Sequence, residues 1–254
     1  MESFFLIRFE FDHAAVRRRI AEAVAARRPC YICVADGNVL AHVHRNEAYR
    51  QTVNGALFSI CDSGWVPLCL RLLYGIRRPR YCGAQIFRDI VSDGRCRMAF
   101  LGTDDATLAA LRRAIAPWNS AVRDMPFIAL PFREAGGFDY PAIAARLEAD
   151  GGADIIWVAL GAPKQDFFMQ RLVPHLHGGV ALGVGAVFNF YSGRVRRAPA
   201  WVRALRLEFA FRLLTEPRKQ SARCRRILAA LPSVFLRELR RKRAALAPGT
   251  RPQA

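Results

Sequence analysis

Three turns of this sequence carry residue types that could take part in catalysis or hold a substrate. In the first, Asp62 follows the apolar run 56–61, so its carboxylate is expected at the carboxyl end of a strand. A carboxylate there can act as a general base or orient a hydroxyl group. An Asx turn or an N-cap of the following helix explains the same residue without catalysis, and the residues around Asp62 alone slightly favour that structural explanation.

The second turn, 161–166, combines glycine with polar side chains. Gly161 permits a ligand to approach the backbone closely, Lys164 can meet a phosphate group, and Gln165 can hydrogen-bond a base or a sugar. An ordinary strand-to-helix turn with Asp166 near the helix start explains the segment equally well.

The third turn, 183–188, partly resembles a glycine-rich phosphate loop. It has neither a third glycine nor a Walker lysine, so alone it is a weak indication of nucleotide binding.

No metal site is predicted. Asp104 and Asp105 lack the DxD spacing of a metal-binding pair, and helix capping explains both of them. Cys30 and Cys33 have no second pair to complete a zinc site, and two small core residues are the better interpretation. All seven cysteines, an odd number among apolar neighbours, fit reduced thiols better than a disulfide framework.

Short apolar runs alternate with helical patterns along the chain, which predicts an α/β fold with a doubly wound, mostly parallel sheet. Ligands bind at the carboxyl ends of the strands in such sheets, so the three turns are where a substrate site is expected. The predicted strands are 31–35, 56–61, 98–101, 127–130, 155–160 and 180–184, and the predicted helices are 38–50, 66–74, 106–116, 141–150 and 166–172.

The positive charge of the chain is concentrated in its C-terminal quarter. The formal net charge of the 254 residues is +18, and residues 194–254 hold 17 of the 39 Lys and Arg but three of the 21 Asp and Glu. Apolar residues at helical spacing among these cations predict amphipathic helices over 218–231 and 234–245, separated by Pro232. Such a block needs an anionic partner: nucleic acid, anionic lipid or a phosphorylated substrate.

Two of the wider possibilities are disfavoured. No apolar run is long enough to span a bilayer, and Met1-Glu2-Ser3 begins no signal peptide, so the catalytic body is expected in the cytoplasm. A nucleic-acid binder is expected to show aromatic and basic platforms, which this sequence lacks.

Taken in order, the turns resemble the WecG/TagA/CpsF family (glycosyltransferase family 26). The family's Thr-x-Asn, Asn, Pro-Asp-Gly, Arg-x-x-Gly-x-Asp and Leu-Gly-Gly elements correspond to Val34-Ala35-Asp36, Asn54, Cys61-Asp62-Ser63, Arg80 to Gln85 with Gly83, and Leu101-Gly102. The later elements correspond to Gly161-Ala162-Pro163-Lys164-Gln165-Asp166, Gly183 to Asn189 with Gly185, Arg197-Ala198-Pro199, Glu208, Arg212 and Glu216-Pro217-Arg218. The resemblance covers roughly residues 4–240, and the ordered set is far more specific than any single piece.

This resemblance implies an inverting, metal-independent glycosyltransferase without a cofactor. The implied architecture is a Rossmann-like core over residues 1–195, a basic helical appendage over 196–247 and a disordered tail over 248–254. The implied donor is a UDP-sugar, and the implied acceptor is a sugar on polyprenyl diphosphate used for surface polysaccharide or teichoic acid. The enzyme would attach peripherally to the anionic inner face of the cell membrane, and a homo-oligomer is possible by analogy.

The resemblance also implies roles for single residues. Asp62 falls on the family's catalytic base, Gln165 and the backbone around Gly161 and Gly185 on the nucleotide-sugar pocket. Cations of the appendage would neutralise a diphosphate, either of UDP or of the lipid. The implied substrate-binding residues are Asp36, Asn54, Arg80, Gly83, Gly102, Gly161, Pro163, Lys164, Gln165, Gly185, Asn189, Arg212, Arg218 and Arg223.

Departures from the family pattern leave the transferred sugar open. Val34 and Asp36 replace Thr and Asn, Cys61 and Ser63 replace Pro and Gly, and Gln85 and Asn189 each replace Asp. These changes keep the carboxylate of Asp62 but count against N-acetylmannosamine as the transferred sugar, and a glucosyl donor is the substitute. An alternative is a catalytically impaired nucleotide-sugar-binding partner of another transferase, although that function leaves Asp62 without a chemical task.

Overall fold

The computed structural model describes residues 1–149, 151–195 and 217–246, together with the isolated positions 199, 202, 211, 213 and 214. Within these residues an eight-stranded sheet has the order β1-β2-β4-β3-β8-β7-β5-β6. The β1–β2 pair is antiparallel and the remaining pairs are parallel. The strands are β1 (Glu2–Phe4), β2 (Ile7–Glu10), β3 (Cys30–Ala35), β4 (Ser59–Cys61), β5 (Met98–Gly102), β6 (Phe127–Ile128), β7 (Ile155–Ala159) and β8 (Val180–Gly183).

Helices connect most of these strands, and five of the ten described α-helices begin at a residue whose side chain caps them. Asp and Asn side chains accept backbone N–H bonds at the N-termini of five helices, since these side chains replace the missing intrahelical acceptors. The caps are Asp12, Asp36, Asn46, Asp104 and Asp139. The helices are α1 (His13–Ala25), α2 (Gly37–Val43), α3 (Glu47–Gly55), α4 (Trp65–Tyr74), α5 (Gly83–Asp93), α6 (Asp105–Ile115), α7 (Tyr140–Glu148), α8 (Lys164–Leu172), α9 (Val187–Tyr191) and the C-terminal helix (Pro217–Leu246).

The core lies on both faces of the sheet, as the long apolar runs require. Every residue of β3 is buried. Tyr31, Cys33 and Ala35 belong to one apolar cluster, whereas the alternate residues Ile32 and Val34 belong to the other. Because successive side chains of a strand point to opposite faces, the two clusters flank the sheet. The predicted α/β fold with a Rossmann-like, mostly parallel sheet is confirmed.

The structure divides one predicted helix and shortens one predicted strand. The predicted helix over 38–50 is two helices, because the Asn46 side chain accepts a bond from Tyr49 N and starts α3 anew. The predicted strand 127–130 is shorter, Phe127–Ile128, and lies at the sheet edge beside β5, as its flanking prolines suggested.

The predicted break at Pro232 is also wrong, because the C-terminal helix runs through it for 30 residues. A proline inside a helix removes one backbone hydrogen bond and costs about 3 kcal/mol. Pro232 is exposed, the Ser233 hydroxyl donates to the Ala230 carbonyl at 2.8 Å, and Ala230 and Val234 on either side of it are buried. Packing across the proline therefore keeps the helix continuous.

The apolar stripe of the C-terminal helix packs on the body of the protein. Cys224, Ile227, Ala230 and Val234 are all buried, and they share one helical face. None of the described helices is long and apolar enough to cross a membrane. The division into a core over 1–195 and an appendage over 196–247 stays a prediction, and the proposed tail 248–254 lies outside the described residues.

Candidate active site

The carboxyl ends of five parallel strands bring most of the predicted site residues to one edge of the sheet. Asp36 directly follows β3, Asp62 directly follows β4, and Gly102 ends β5. Gly161 lies two positions beyond β7, and Gly185 lies two positions beyond β8. Because β4, β3, β8 and β7 are neighbours in that order, the loops after them form a continuous rim.

Asp62 does not cap the helix that follows it. The N-cap of α4 is Gly64, without a side-chain cap bond, and the Ser63 hydroxyl accepts the hydrogen bond from Trp65 N at 3.1 Å. Asp62 instead accepts a bond through Oδ1 from the backbone N–H of Gly83 at 3.3 Å. Its carboxylate therefore lies at the N-terminus of α5, where the helix dipole favours negative charge.

Arg80 and Asp62 both lie close enough to Cys61 to act on its thiol. Burial raises the pKa of the Cys61 thiol to about 12, and the charges of Asp62 and Arg80 act on that thiol in opposite directions. The Tyr81 backbone N–H also donates to the Cys61 carbonyl at 3.0 Å, which holds the segment before α5 against β4. Asp62, bonded to Gly83, and the segment that carries Arg80 therefore lie beside the end of β4, and their contact with a substrate stays a prediction.

Gly83 permits the close approach of α5 to the sheet. A Cβ atom at this position would lie 3.3 Å from Cγ1 of Val34 and 3.8 Å from the Val184 carbonyl oxygen. Val34, where the family pattern has Thr, is buried in the apolar cluster on this face. The missing hydroxyl is therefore replaced by packing against the N-terminus of α5.

Gln165 ties together the loops after β7 and β8. Its Oε1 accepts a bond from Gly161 N at 3.1 Å, and its Nε2 donates to the Gly183 carbonyl at 3.0 Å. The side chain is buried, so both amide atoms are engaged within the protein. This geometry makes Gln165 a residue that positions the loops, and its direct contact with a donor stays a prediction.

The two tied loops meet at glycines whose backbone conformation favours glycine. Gly161 has φ 78° and Gly185 has φ 57°. A Cβ atom on Gly185 would lie 4.0 Å from Cα of Gly161, so the loops are in contact. Backbone exposed in this way can approach a phosphate or a sugar closely.

The C-terminal helix covers the end of β3 through Arg223 and Arg226. Arg223 forms an ion pair with Oδ2 of Asp36, while Oδ1 of Asp36 accepts the bonds from the backbone of Asn38 and Val39 that cap α2. Arg226 donates to Nε2 of His42 at 2.8 Å. Asp36 therefore both starts α2 and holds the helix.

Asn38 connects this helix to the glycine loops. Its Nδ2 donates to the Ala162 carbonyl at 3.2 Å, and its Oδ1 accepts from Arg226 at 3.4 Å. Burial lowers the pKa of His42, and the Arg226 guanidinium lowers it further, so His42 accepts the bond as a neutral ring. Sequence reasoning missed Asn38 and Arg226, because nothing local indicates that they meet.

The structure does not bring Asn54 to this edge. Asn54 lies near the end of α3, before β4, and its Nδ2 donates to the Leu6 carbonyl at 2.8 Å while its Oδ1 accepts from Arg8 N at 3.3 Å. These bonds hold the β1–β2 hairpin at the amino-terminal edge of the sheet. The substrate contact implied for Asn54 has no support in this position.

Of the remaining predicted residues, the structure describes Pro163, Lys164 and Asn189 but not Arg212 or the side chain of Arg218. Lys164 begins α8 with Pro163 as its N-cap, and its ammonium lies 4.6 Å from the Phe132 ring centroid. Asn189 lies in α9, four positions beyond Gly185. Arg212 and the side chain of Arg218 lie outside the described residues.

A buried polar cluster beneath the rim was not foreseen. Asp166 is fully buried on α8, where its Oδ2 accepts a bond from the Tyr49 hydroxyl and its Oδ1 has no partner among the described residues. Burial raises the pKa of Asp166 to about 7, although the bond from Tyr49 opposes the shift. The interpretation of Cys30 and Cys33 as core residues is confirmed, since both are free and buried.

Asp104 has the structural role that capping predicted. It accepts a bond from Thr107 N at 2.9 Å at the start of α6 and forms an ion pair with Arg194.

Comparison with known proteins identifies relatives over most of the chain. Residues 5–247 match the model of the glycosyl transferase WecG/TagA/CpsF family. An N-acetylglucosaminyldiphosphoundecaprenol N-acetyl-beta-D-mannosaminyltransferase of Bacillus spizizenii strain W23 is 29% identical over 223 residues, which are 86% of this chain and 82% of that protein. A protein of the same description from Bacillus subtilis strain 168 is 24% identical over 173 residues, 68% of this chain and 66% of that protein.

Proposed function

Because this chain belongs to the WecG/TagA/CpsF family of glycosyltransferases, we propose that it moves a sugar from a UDP-sugar to a polyprenyl-diphosphate-linked sugar with Asp62 as the base. The observation that carries the proposal is the position of Asp62. Its carboxylate stands at the rim formed by the glycine loops and the basic C-terminal helix, and it is bonded to the N-terminus of α5.

The rim provides room for a donor to lie across the strand ends. Three strand spacings separate β4 from β7, about 14 Å. In the proposed complex the diphosphate lies over the loops at Gly161 and Gly185, and the anomeric carbon points towards Asp62. The order of the strands supports this arrangement, because the base and the loops lie on opposite sides of β3.

The proposed reaction is a single displacement. The carboxylate of Asp62 takes the proton of the acceptor hydroxyl while that oxygen forms its bond to the anomeric carbon. The bond from the anomeric carbon to the UDP oxygen breaks, and UDP leaves with the electron pair. Attack from the side opposite to the leaving group inverts the configuration.

The negative charge that develops on UDP needs cations at the rim if no metal ion takes part. Lys164 and Arg223 stand there in the described residues, and Arg212 and Arg218 are further candidates from the sequence. The same cations would receive the diphosphate of the lipid-linked acceptor. Peripheral attachment to the inner face of the membrane follows from that acceptor, and the Bacillus relatives are described as transferases to N-acetylglucosaminyldiphosphoundecaprenol, which is a lipid-linked sugar of this kind.

The proposal leaves two candidates for the sugar that the UDP donor carries. The Bacillus relatives are named as N-acetylmannosaminyltransferases, whereas Asp36 in place of Asn puts a carboxylate paired with Arg223 at the end of β3. That change alters the hydrogen-bond donors available to a sugar substituent, so a glucosyl donor is the second candidate.

The test is sugar transfer in detergent micelles to a polyprenyl-diphosphate-linked sugar, over a panel of UDP-sugars, with EDTA present. Wild type is compared with Asp62→Asn and with Asp104→Asn, which removes from the same edge a carboxylate that caps α6 and pairs with Arg194. We expect transfer from one donor that resists EDTA, falls at least about 100-fold in Asp62→Asn and is kept in Asp104→Asn.

Equal loss in both variants would remove the argument for Asp62 as the base. Binding of UDP-sugars without transfer from any donor would favour the impaired binding partner instead.

A further inference from the structure

One face of α4 exposes a row of large apolar side chains. Trp65, Leu68 and Leu72 are 50%, 38% and 69% exposed. At 3.6 residues per turn these positions fall within about 60° of one another around the helix. The other face of α4 is buried through Val66, Leu70 and Leu73. We call Trp65, Leu68 and Leu72 the α4 ridge.

A row of exposed apolar side chains on one helix face indicates a contact surface. Single exposed apolar residues are ordinary, whereas contiguous ones mark a contact with protein or membrane.

The α4 ridge begins beside the proposed base. Trp65 is three residues beyond Asp62, and three residues reach about 11 Å at most. The Trp65 backbone N–H donates to the Ser63 hydroxyl at 3.1 Å, which fixes the start of α4 next to the rim. A surface in contact with the ridge is therefore within reach of an acceptor presented to Asp62.

Cations surround the far end of the α4 ridge. Lys242 donates from Nζ to the Leu73 carbonyl and lies 5.6 Å from the Tyr74 ring centroid. The basic run 240–243 of the C-terminal helix is thereby held against the end of α4, and Arg240, Arg241 and Arg243 in it are exposed. Arg71 and Arg77 are also exposed.

We infer that the α4 ridge inserts into the headgroup region of an anionic bilayer, with Arg240 and Arg243 paired to lipid phosphates, since Arg241 and Lys242 donate to the Ser3 and Leu73 carbonyls. Tryptophan and leucine beside exposed cations are typical of a segment that lies in a membrane interface. Each cation near an anionic leaflet contributes to binding. The inference rests on the proposed lipid-linked acceptor and names the element that brings the site to it.

Two other occupants fit the charges less well. A second copy of this chain at the ridge would bring two basic runs together, and like charges across an interface oppose association. Nucleic acid would match the cations but leave Leu68 and Leu72 without an apolar partner.

The inference changes the expected membrane contact. The amphipathic C-terminal segment was the predicted basic element, but Cys224, Ile227, Ala230 and Val234 of its apolar stripe are buried and are not available to a membrane. The helix then contributes cations, and α4 contributes the apolar side chains.

The first experiment measures sedimentation of the full chain with vesicles of phosphatidylglycerol and phosphatidylcholine. The test variant is Leu68→Ser with Leu72→Ser. The matched control is Leu228→Ser with Leu236→Ser, two leucines of the C-terminal helix that are 57% and 51% exposed. We expect the α4 pair to weaken vesicle binding at least about tenfold and the control pair to bind as wild type does.

Unchanged binding of the α4 pair, an equal loss in both pairs, or a loss confined to the control pair would overturn the inference. So would a wild type that does not bind these vesicles. Melting temperatures, expected to be equal because all four leucines are exposed, exclude unfolding as the cause. Loss of a dimer in the α4 pair without vesicles would assign the ridge to a second copy and also overturn it.

The second experiment uses the fluorescence of Trp65. We expect vesicles to shift tryptophan emission to shorter wavelength in wild type and not in Trp65→Phe, which keeps an apolar ring and still binds. A shift that persists in Trp65→Phe would overturn the inference. Neither experiment contains a donor or an acceptor, so a failure here leaves the sugar-transfer test, and with it the proposed reaction, to be judged separately.

Discussion

Arg223 of the C-terminal helix forms an ion pair with Asp36, the residue that directly follows β3. The pair joins positions 187 apart in the chain, and Asp36 also caps α2. One carboxylate therefore organises a helix start and the attachment of a second helix at the proposed donor site.

Substitutions of Asp36 separate these two tasks. Asp36→Asn keeps an N-cap acceptor but loses the charge facing Arg223, whereas Asp36→Ala loses both. We expect Asp36→Ala to lower the free energy of unfolding by about 1 kcal/mol more than Asp36→Asn does. Urea denaturation measures both, and a double-mutant cycle with Arg223→Ala measures the ion pair, expected at about 0.5–1 kcal/mol because the pair is partly exposed. Equal stabilities of the two Asp36 variants would contradict the capping role.

Gln165 gives a prediction about the glycine loops. Gln165→Leu keeps the volume of the side chain but leaves Gly161 N–H and the Gly183 carbonyl without their partners. Each unpaired buried group costs about 1–3 kcal/mol, so we expect a lower free energy of unfolding and weaker UDP binding by isothermal titration calorimetry. Gln170→Leu on the same helix serves as the control, since its side chain accepts a bond from Thr52 rather than from the loops. UDP affinity equal in the two variants would show that the tie does not shape the loops.

The raised pKa of Asp166 leads us to expect that the free energy of unfolding depends on pH. Its pKa in the folded protein, about 7, is above the ordinary value of 3.8, so the folded state binds this proton more tightly than the unfolded state. The contribution of Asp166 to stability is therefore full below about pH 4 and is lost as the pH rises towards 7. We expect Asp166→Asn, which keeps an acceptor for Tyr49, to gain stability relative to wild type over this range.

The measurement is urea denaturation at several pH values, with the difference between variant and wild type plotted against pH. The bond from Thr107 and the Arg194 pair hold the pKa of Asp104 below its usual value of 3.8. The control Asp104→Asn is therefore expected to give a flat difference above about pH 5 and the opposite slope only below about pH 4. A flat difference for Asp166→Asn would mean that Asp166 is ionised in the folded protein throughout.

The two hydrogen bonds of Glu238 are expected to anchor the C-terminal helix to the body of the protein. This buried carboxylate accepts bonds from Phe5 N at 2.9 Å and from the Tyr74 hydroxyl at 2.8 Å. We expect Glu238→Ala to lower the free energy of unfolding by about 2–4 kcal/mol, because it leaves both donors unpaired. Tryptic cleavage after the arginines of the helix should become faster, whereas the control Glu22→Ala, on an exposed pair with Arg18, should change neither quantity. Cleavage of Glu238→Ala at the wild-type rate would show that Glu238 does not hold the C-terminal helix in place.

The sequence predicted the parts of the fold that depend on local pattern. The run Ile155–Ala159 is a buried strand as its composition indicated, and the loops after the strands meet at one edge because parallel strands must end there. The hairpin β1–β2 escaped prediction because its two-residue turn is Phe5-Leu6, both at positive φ. Turns of this kind usually carry Asn or Gly, so the local signal was missing.

The sequence predicted where the site residues lie along the strands, but it did not predict which residues they contact. Asp62 was found from its place after a strand, but its partner Gly83 is 21 positions away, and the neighbouring residues wrongly suggested a cap for α4. Asp166 was assigned to a helix start, yet its burial beneath Tyr49 depends on how α3 packs on α8. Such contacts arise from tertiary packing, which no local pattern encodes.

The bond between Glu238 and Phe5 also bears on how the protein is made. It joins residues 233 positions apart, and contacts of such separation form late, after the chain between them has been ordered. During synthesis the ribosome would release β1 to β8 well before the helix that carries Glu238, Arg226 and Arg223. The rim around Asp62 would thus be assembled last. A truncated product would fold its sheet but would lack the arginines of the C-terminal helix that are proposed to hold a diphosphate.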